Sequence, residues 1–185
     1  MLRGIVRSRS GDSLSFRACE GSLLMLALDS TGTGVRPMYR LMNASELDGM
    51  YLLARGNQSR DGNVVTFREV QFASRPGAGA SCDDPAPDYL AMARGINPVW
   101  RVLIREQGVE VSLGDSVRME FPATAREDSA DAIRYQVAAG DHSLHLLLNK
   151  AECSEGGSGN YMVMRAVVLV DGRPLQGCGW MGRLP

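Results

Sequence analysis

Long apolar runs are missing from this sequence of 185 residues: nothing in it approaches the roughly 18 consecutive apolar residues that a membrane-spanning helix needs. Net charge is nearly missing too. Twenty Lys and Arg face 21 Asp and Glu, a balance of -1, so no global field draws the chain to phosphate backbones or anionic lipid. Nucleic acid is therefore not an expected partner. Every basic residue except Lys150 is Arg, which reads as the mark of a GC-rich genome and has no functional weight. The start, Met1-Leu2-Arg3-Gly4, leads straight into a strand-like run without the apolar segment of an export signal. Two readings follow: a cytoplasmic protein, or an exported one whose signal has been removed.

Residue sets for catalysis are also scarce. The two histidines, His142 and His145, stand three apart, and on a strand that spacing turns them to opposite faces, where one metal ion does not easily take both. There is no Gly-x-Ser-x-Gly elbow to support a Ser/His/Asp triad. The glycine-rich runs Thr31-Gly32-Thr33-Gly34 and Gly156-Gly157-Ser158-Gly159 lack the Lys of a phosphate-binding loop. The carboxylates at Asp83-Asp84 and at Glu127, Asp128 and Asp131 read as solvated loops. Met38 and Met42, like Met162 and Met164, have a spacing open to Cu(I) binding, but core filling is the ordinary use of Met. Trp100 reads as a core anchor. The expectation is a protein that is not an enzyme, with no cofactor and no metal.

What the sequence does have is an even set of cysteines, Cys19, Cys82, Cys153 and Cys178, two in each half. No CxxC pair is among them, and a structural zinc site normally shows one. Well separated cysteines in even number fit disulfides, and disulfides imply an oxidising compartment. Three connectivities are open. Pairing Cys19 with Cys82 and Cys153 with Cys178 would give each half one crosslink, stabilising by roughly 3 to 4.5 kcal/mol each in the chain-entropy model.

The pattern along the chain is mainly β. Strand-like runs fall at 2–7, 13–19, 23–28, 51–55 and 64–73, interrupted by one helical pattern over 35–42 with Pro37 in its first turn. Residues 74–87 concentrate Pro, Gly, Ala and Asp without periodicity. Further strands follow at 99–105, 109–113, 117–121, 132–137, 142–148 and 161–170. In the run 142–148, Leu144, Leu146 and Leu148 share a face with His142. Asp171-Gly172 then turns the chain into a segment ending at Cys178. This predicts an OB-like small barrel over residues 1–75, a linker over 76–86, and a disulfide-closed antiparallel β-domain over 87–185.

The run RGIVRSRSGDSLSFRAC, with Phe16-x-x-Cys19 before a strand, a helix ending ahead of YLLARG and then NVVTFREVQF, resembles the C-terminal OB-like domain of NlpE-type outer-membrane lipoproteins over about residues 2–73. Residues 87–180 resemble uncharacterised periplasmic or lipoprotein modules, through Gly95-Ile96-Asn97-Pro98-Val99-Trp100 and an ending of Cys153, Tyr161 and Gly177-Cys178. The resemblance implies export to the periplasm, lipid anchoring to the outer membrane through an N-terminal Cys that this chain lacks, and a role in envelope sensing or assembly by protein or cell-wall contact. The partner expected is an envelope protein or a peptidoglycan-related one. Copper handling does not carry over, because the CxxC of the copper-associated relatives is missing. Two alternatives stand beside this role. One is an inhibitor or immunity protein of a lysozyme- or amidase-type enzyme, which would insert an exposed loop at Ser154, Glu155 and Asn160 into a cleft. The other is a carrier of a small apolar ligand, which needs a roomy barrel interior.

Overall fold

Alternation of buried and exposed side chains in short strands organises the chain: 62% of the described residues are strand and 4% helix, mainly β as the sequence predicts. The computed structural model describes residues 1–8, 13–32, 34–42, 49–75, 77–78, 80–155 and 159–182. Two units result. One comprises Met1–Ala86 with Gly156–Tyr161, the other Pro87–Glu155 with Met162–Pro185.

The first unit is a closed barrel of five strands: β1 (Leu2–Ser8), β2 (Leu14–Ala18), β3 (Leu24–Asp29), β4 (Met50–Gln58) and β5 (Val64–Ser74). Around the barrel the order is β1-β2-β3-β5-β4 and back to β1, with β3 and β5 parallel and the other pairs antiparallel. Helix α1 (Val35–Leu41) joins β3 to β4. This is the connectivity of an OB barrel. Closing so few strands requires sharp bending, and β4 and β5 supply it with register shifts at Leu53/Ala54 and Arg55/Gly56. The interior is filled by side chains. Phe16 and Phe67 meet edge to face at 5.4 Å, with Val6, Met50, Leu52 and Val65 fully buried around them. Asp29 fixes the helix start: its Oδ2 accepts the Val35 N–H, and its Oδ1 accepts from Thr31.

The stretch expected as a linker, 76–86, clusters with this barrel. Cys82 is bonded to Cys19 just past β2, Arg3 Nη1 donates to Asp84 O at 2.8 Å, and Ser74 Oγ donates to Ala80 O at 3.0 Å. Residues of β14 (Asn160–Met162) lie beside β5 in the same sheet, and Tyr161 packs against the barrel core.

The second unit is a curled antiparallel sheet of nine strands. In chain order they are β6 (Ala91–Ile96), β7 (Val99–Ile104), β8 (Gly108–Leu113), β9 (Val117–Pro122), β10 (Arg126–Asp128), β11 (Ala132–Ala139), β12 (His142–Asn149), β15 (Met164–Val170) and β16 (Arg173–Met181), with β13 (Cys153–Glu155) between β12 and β14. Across the sheet they run β10-β11-β12-β15-β16-β6-β7-β8-β9. The curl brings the link after β9 back to β11, where Thr124 Oγ1 donates to Gln136 O at 2.6 Å. Trp100, Tyr135, Leu144, Leu146, Leu148 and Val168 pack its concave interior. Cys153 and Cys178 are bonded, so each proposed crosslink forms. Asp171 and Gly172, at φ 51° and 76°, make the two-residue turn between β15 and β16, the positive-φ pair that suits strand twist.

Candidate functional site

A strand on a closed barrel places alternate side chains inside and outside. On β3 the inward pair is Met25 and Ala27, at 5% and 6% exposure. Leu24, Leu26 and Leu28 therefore face out, and with Leu23 they are between 42% and 54% exposed. Their neighbours follow from the register. Arg17 stands opposite Leu24 and Ser15 opposite Leu26 on β2; Val64 and Thr66 flank Leu26 and Leu28 on β5. One strand further, on β1, Ile5 is paired with Arg17 and Arg7 with Ser15.

The result is an aliphatic row on an outer sheet face, edged on one side by cations. Ser15 is 2% exposed and its Oγ donates to Arg7 O at 3.4 Å, so the hydroxyl is turned to the backbone. Among the described residues neither the Arg7 nor the Arg17 side chain has a hydrogen-bond or ion-pair partner, and Arg7 Nε is buried. Some arginines elsewhere are paired, Arg3 with Glu20 at 2.7 Å, Arg55 with Glu69 at 3.0 Å and Arg94 with Glu155 at 2.7 Å. Arg60, Arg118, Arg134 and Arg173 have no hydrogen-bond or ion-pair partner among the described residues, and Arg55 Nε is buried without a hydrogen bond as Arg7 Nε is. Contiguous exposed aliphatic surface of this kind marks contact sites, and the outer face of strands 2 and 3 is where OB barrels hold their ligands.

A second surface lies on the convex side of the nine-stranded sheet. Leu147, Val167 and Leu169 form the floor of an open groove of about 340 Å³, with Arg134, Gln136 and His145 beside them. The alternation predicted for β12 is present. Leu144, Leu146 and Leu148 point into the core, and His145 stands on the opposite face from them. His142, at the strand start, is 2.8 Å from Asp171 Oδ2, while Asp171 Oδ1 accepts the Ser143 N–H at 2.8 Å. The backbone N–H of Ser143 and the His142 ring together hold the Asp171 carboxyl below the usual carboxylate range. That carboxylate pins the turn after β15 to the start of β12.

Other residues singled out in the sequence resolve as parts of the fold. Trp100 is 1% exposed, wedged over Gly95, and Nε1 donates to Gln176 O at 3.2 Å. Met38, Met42, Met162 and Met164 are all buried. Of the glycine run before α1, the amide groups nearest the helix start are engaged by Asp29 and by Thr31 Oγ1. No group of three or more His, Cys, Asp or Glu that could hold a metal occurs among the described residues.

Two of the three residues expected to make contacts have buried side chains. Ser154 is exposed, but Glu155 is 7% exposed and takes a bidentate bond from Arg94, at 2.8 and 2.7 Å. Asn160 is 4% exposed and its amide donates to Ala78 O at 3.0 Å. Residues 156–158 lie outside the described residues.

The leucine row, by contrast, escapes a reading of sequence alone. Leu23 to Leu28 is apolar at every position, so it shows no alternation and reads as a strand buried on both faces. The available signal is architectural: a strand of a small closed barrel buries one face, so a run apolar on both must expose half its side chains.

Comparison with family models, with curated proteins and with solved structures finds no match to this chain.

Proposed function

We propose that this chain is a non-enzymatic contact protein of an exported, oxidising environment, which docks a polypeptide partner on the outer face of β3. The row Leu24, Leu26 and Leu28 carries the reading. Covering a half-exposed Leu stabilises by roughly 1 kcal/mol, so a partner that covers all three gains about 3 kcal/mol, or about two decades of affinity. Both disulfides support the compartment, since bonds of this kind persist where thiols are oxidised. The resemblance to NlpE-type lipoproteins narrows that compartment to the bacterial periplasm, with attachment to the outer membrane through a lipid anchor, and the role to envelope sensing or assembly. Insertion of the 154–160 loop into an enzyme cleft gains no support, given the burial of Glu155 and Asn160. Carriage of an apolar ligand inside a barrel gains none either, because the interiors are packed.

A photo-crosslinking residue at position 26 tests the reading against the same residue at Val117, an exposed apolar position of the second sheet. In an extract of exported proteins from the source cell, position 26 should give a saturable adduct. Unlabelled protein should compete for it and the L26E variant should not. Identical adducts from both positions, or adducts that L26E competes equally well, would refute the assignment.

A further inference from the structure

Resting on that docking face, we infer that the partner presents an acidic, leucine-rich type of segment: carboxylates set beside a row of apolar side chains. Leu24, Leu26 and Leu28 recur every second residue, about 7 Å apart, which gives the apolar row a length near 14 Å. Arg17 lies one strand away from Leu24, and Arg7 one strand beyond Ser15. Both guanidiniums lack partners among the described residues, and Arg7 Nε is shielded from water without a hydrogen bond in return. A guanidinium in that state is matched by a carboxylate, whose two oxygens meet its planar fork and whose charge compensates the burial. Apolar coverage of the leucines would exclude water from these pairs and strengthen them.

The same features argue against other occupants. A second copy of the chain, face to face, would bring two Arg7 and two Arg17 side chains together without carboxylates. Single-stranded nucleic acid needs aromatic side chains on which bases stack, and the outward positions here are Leu, Ile, Val, Ser, Thr and Arg. An anionic bilayer is recognised by clusters of roughly four to eight cations, and this row has two.

The test uses the intact, oxidised chain and three fluorescein-labelled octapeptides. The first has Leu at three alternate positions and Glu at the others; the second replaces Glu with Lys; the third replaces Leu with Ser. Anisotropy should show the Glu/Leu peptide binding at least tenfold more tightly than either of the others, and weakening about tenfold between 50 and 500 mM salt, by screening. The R7Q/R17Q variant should lose about tenfold for the Glu/Leu peptide, and R7K/R17K should recover part of it. An L24S/L26S/L28S variant should lose binding altogether. Equal affinity for the Lys/Leu peptide, or no effect of R7Q/R17Q, would overturn the acidic partner while leaving the docking face in place. Absence of binding by every peptide up to 1 mM would overturn both. Arginine-dependent binding to phosphatidylglycerol vesicles without peptide binding would overturn the polypeptide in favour of a lipid surface.

Discussion

Replacing Glu155 with Gln removes one charge from a pair that the second unit holds almost out of water. Both Glu155 oxygens accept from Arg94, Nε at 2.8 Å and Nη2 at 2.7 Å, and the Glu155 side chain is only 4% exposed against 26% for Arg94. Arg94 also lies 5.7 Å from the centre of the Trp180 ring. Breaking a fully buried pair by removing one member costs about 3–5 kcal/mol, because the other charge stays desolvated. Here Arg94 keeps a quarter of its surface in water and Gln keeps one acceptor, which lowers the expected cost to about 2–3 kcal/mol. Both tryptophans, Trp100 and Trp180, belong to the second unit, so tryptophan fluorescence in urea follows that unit alone. With a slope of about 2 kcal/mol/M, the E155Q midpoint should fall by about 1 M. An R94M/E155L double variant, which leaves no charge stranded, should come within about 1.5 kcal/mol of the native protein. A midpoint for E155Q within about 0.3 M of native would refute the reasoning, as would a double variant as unstable as the single one.

Three further outcomes follow from the same geometry. Removing the Cys153–Cys178 bond, which spans 25 residues, should cost about 3.5 kcal/mol, and removing Cys19–Cys82, which spans 63, about 4.3 kcal/mol; denaturant titrations of C153A/C178A and C19A/C82A measure both. Asp171 titrates below its unfolded value near 3.9, so the stability it adds is complete above that pH and is lost as pH falls through the lower folded value. D171N should accordingly be less stable than native at pH 6, with the gap narrowing as pH falls below the unfolded value, and a gap that did not narrow in acid would refute the linkage. A methyl group at Gly4 would sit 2.2 Å from Arg17 O and 2.6 Å from the Phe16 ring, so G4A should destabilise the barrel by about 2 kcal/mol, seen as a loss of about 8–16 °C in the melting temperature of that unit by circular dichroism.

Strands with good propensity and clear punctuation are legible in the sequence itself. The five barrel strands, the helix from Val35 and the Asp171-Gly172 turn stand within a residue or a few of their expected bounds. Strand β6 is not legible in that way. Its sequence, AMARGI, is poor in β-branched and aromatic residues, because Ala91 and Ala93 fill a tight interior and Gly95 leaves room for Trp100, whose Nε1 lies 2.2 Å from where a Cβ would be. The apparently continuous strand 161–170 breaks after Met162, since Tyr161 and Met164 pack into different cores, a partition that no periodicity encodes. The leucine row is hidden for the opposite reason: too much apolar signal rather than too little. Arg7 and Arg17 give no signal either, because a solvated cation and an uncompensated one are the same letter in a sequence.

The excursion of residues 156–161 into the first unit has a consequence for the gene. The chain enters the second unit at Pro87, leaves it after Glu155 and re-enters at Met162. No single break divides such a polypeptide into its two parts: a fragment ending at residue 86 would lack the strand that lies beside β5, and a fragment beginning at 87 would carry it without its home. Deletion mapping by truncation would therefore damage both parts at once, and a clean separation requires replacing 156–161 with a short bridge inside the ring closed by Cys153 and Cys178.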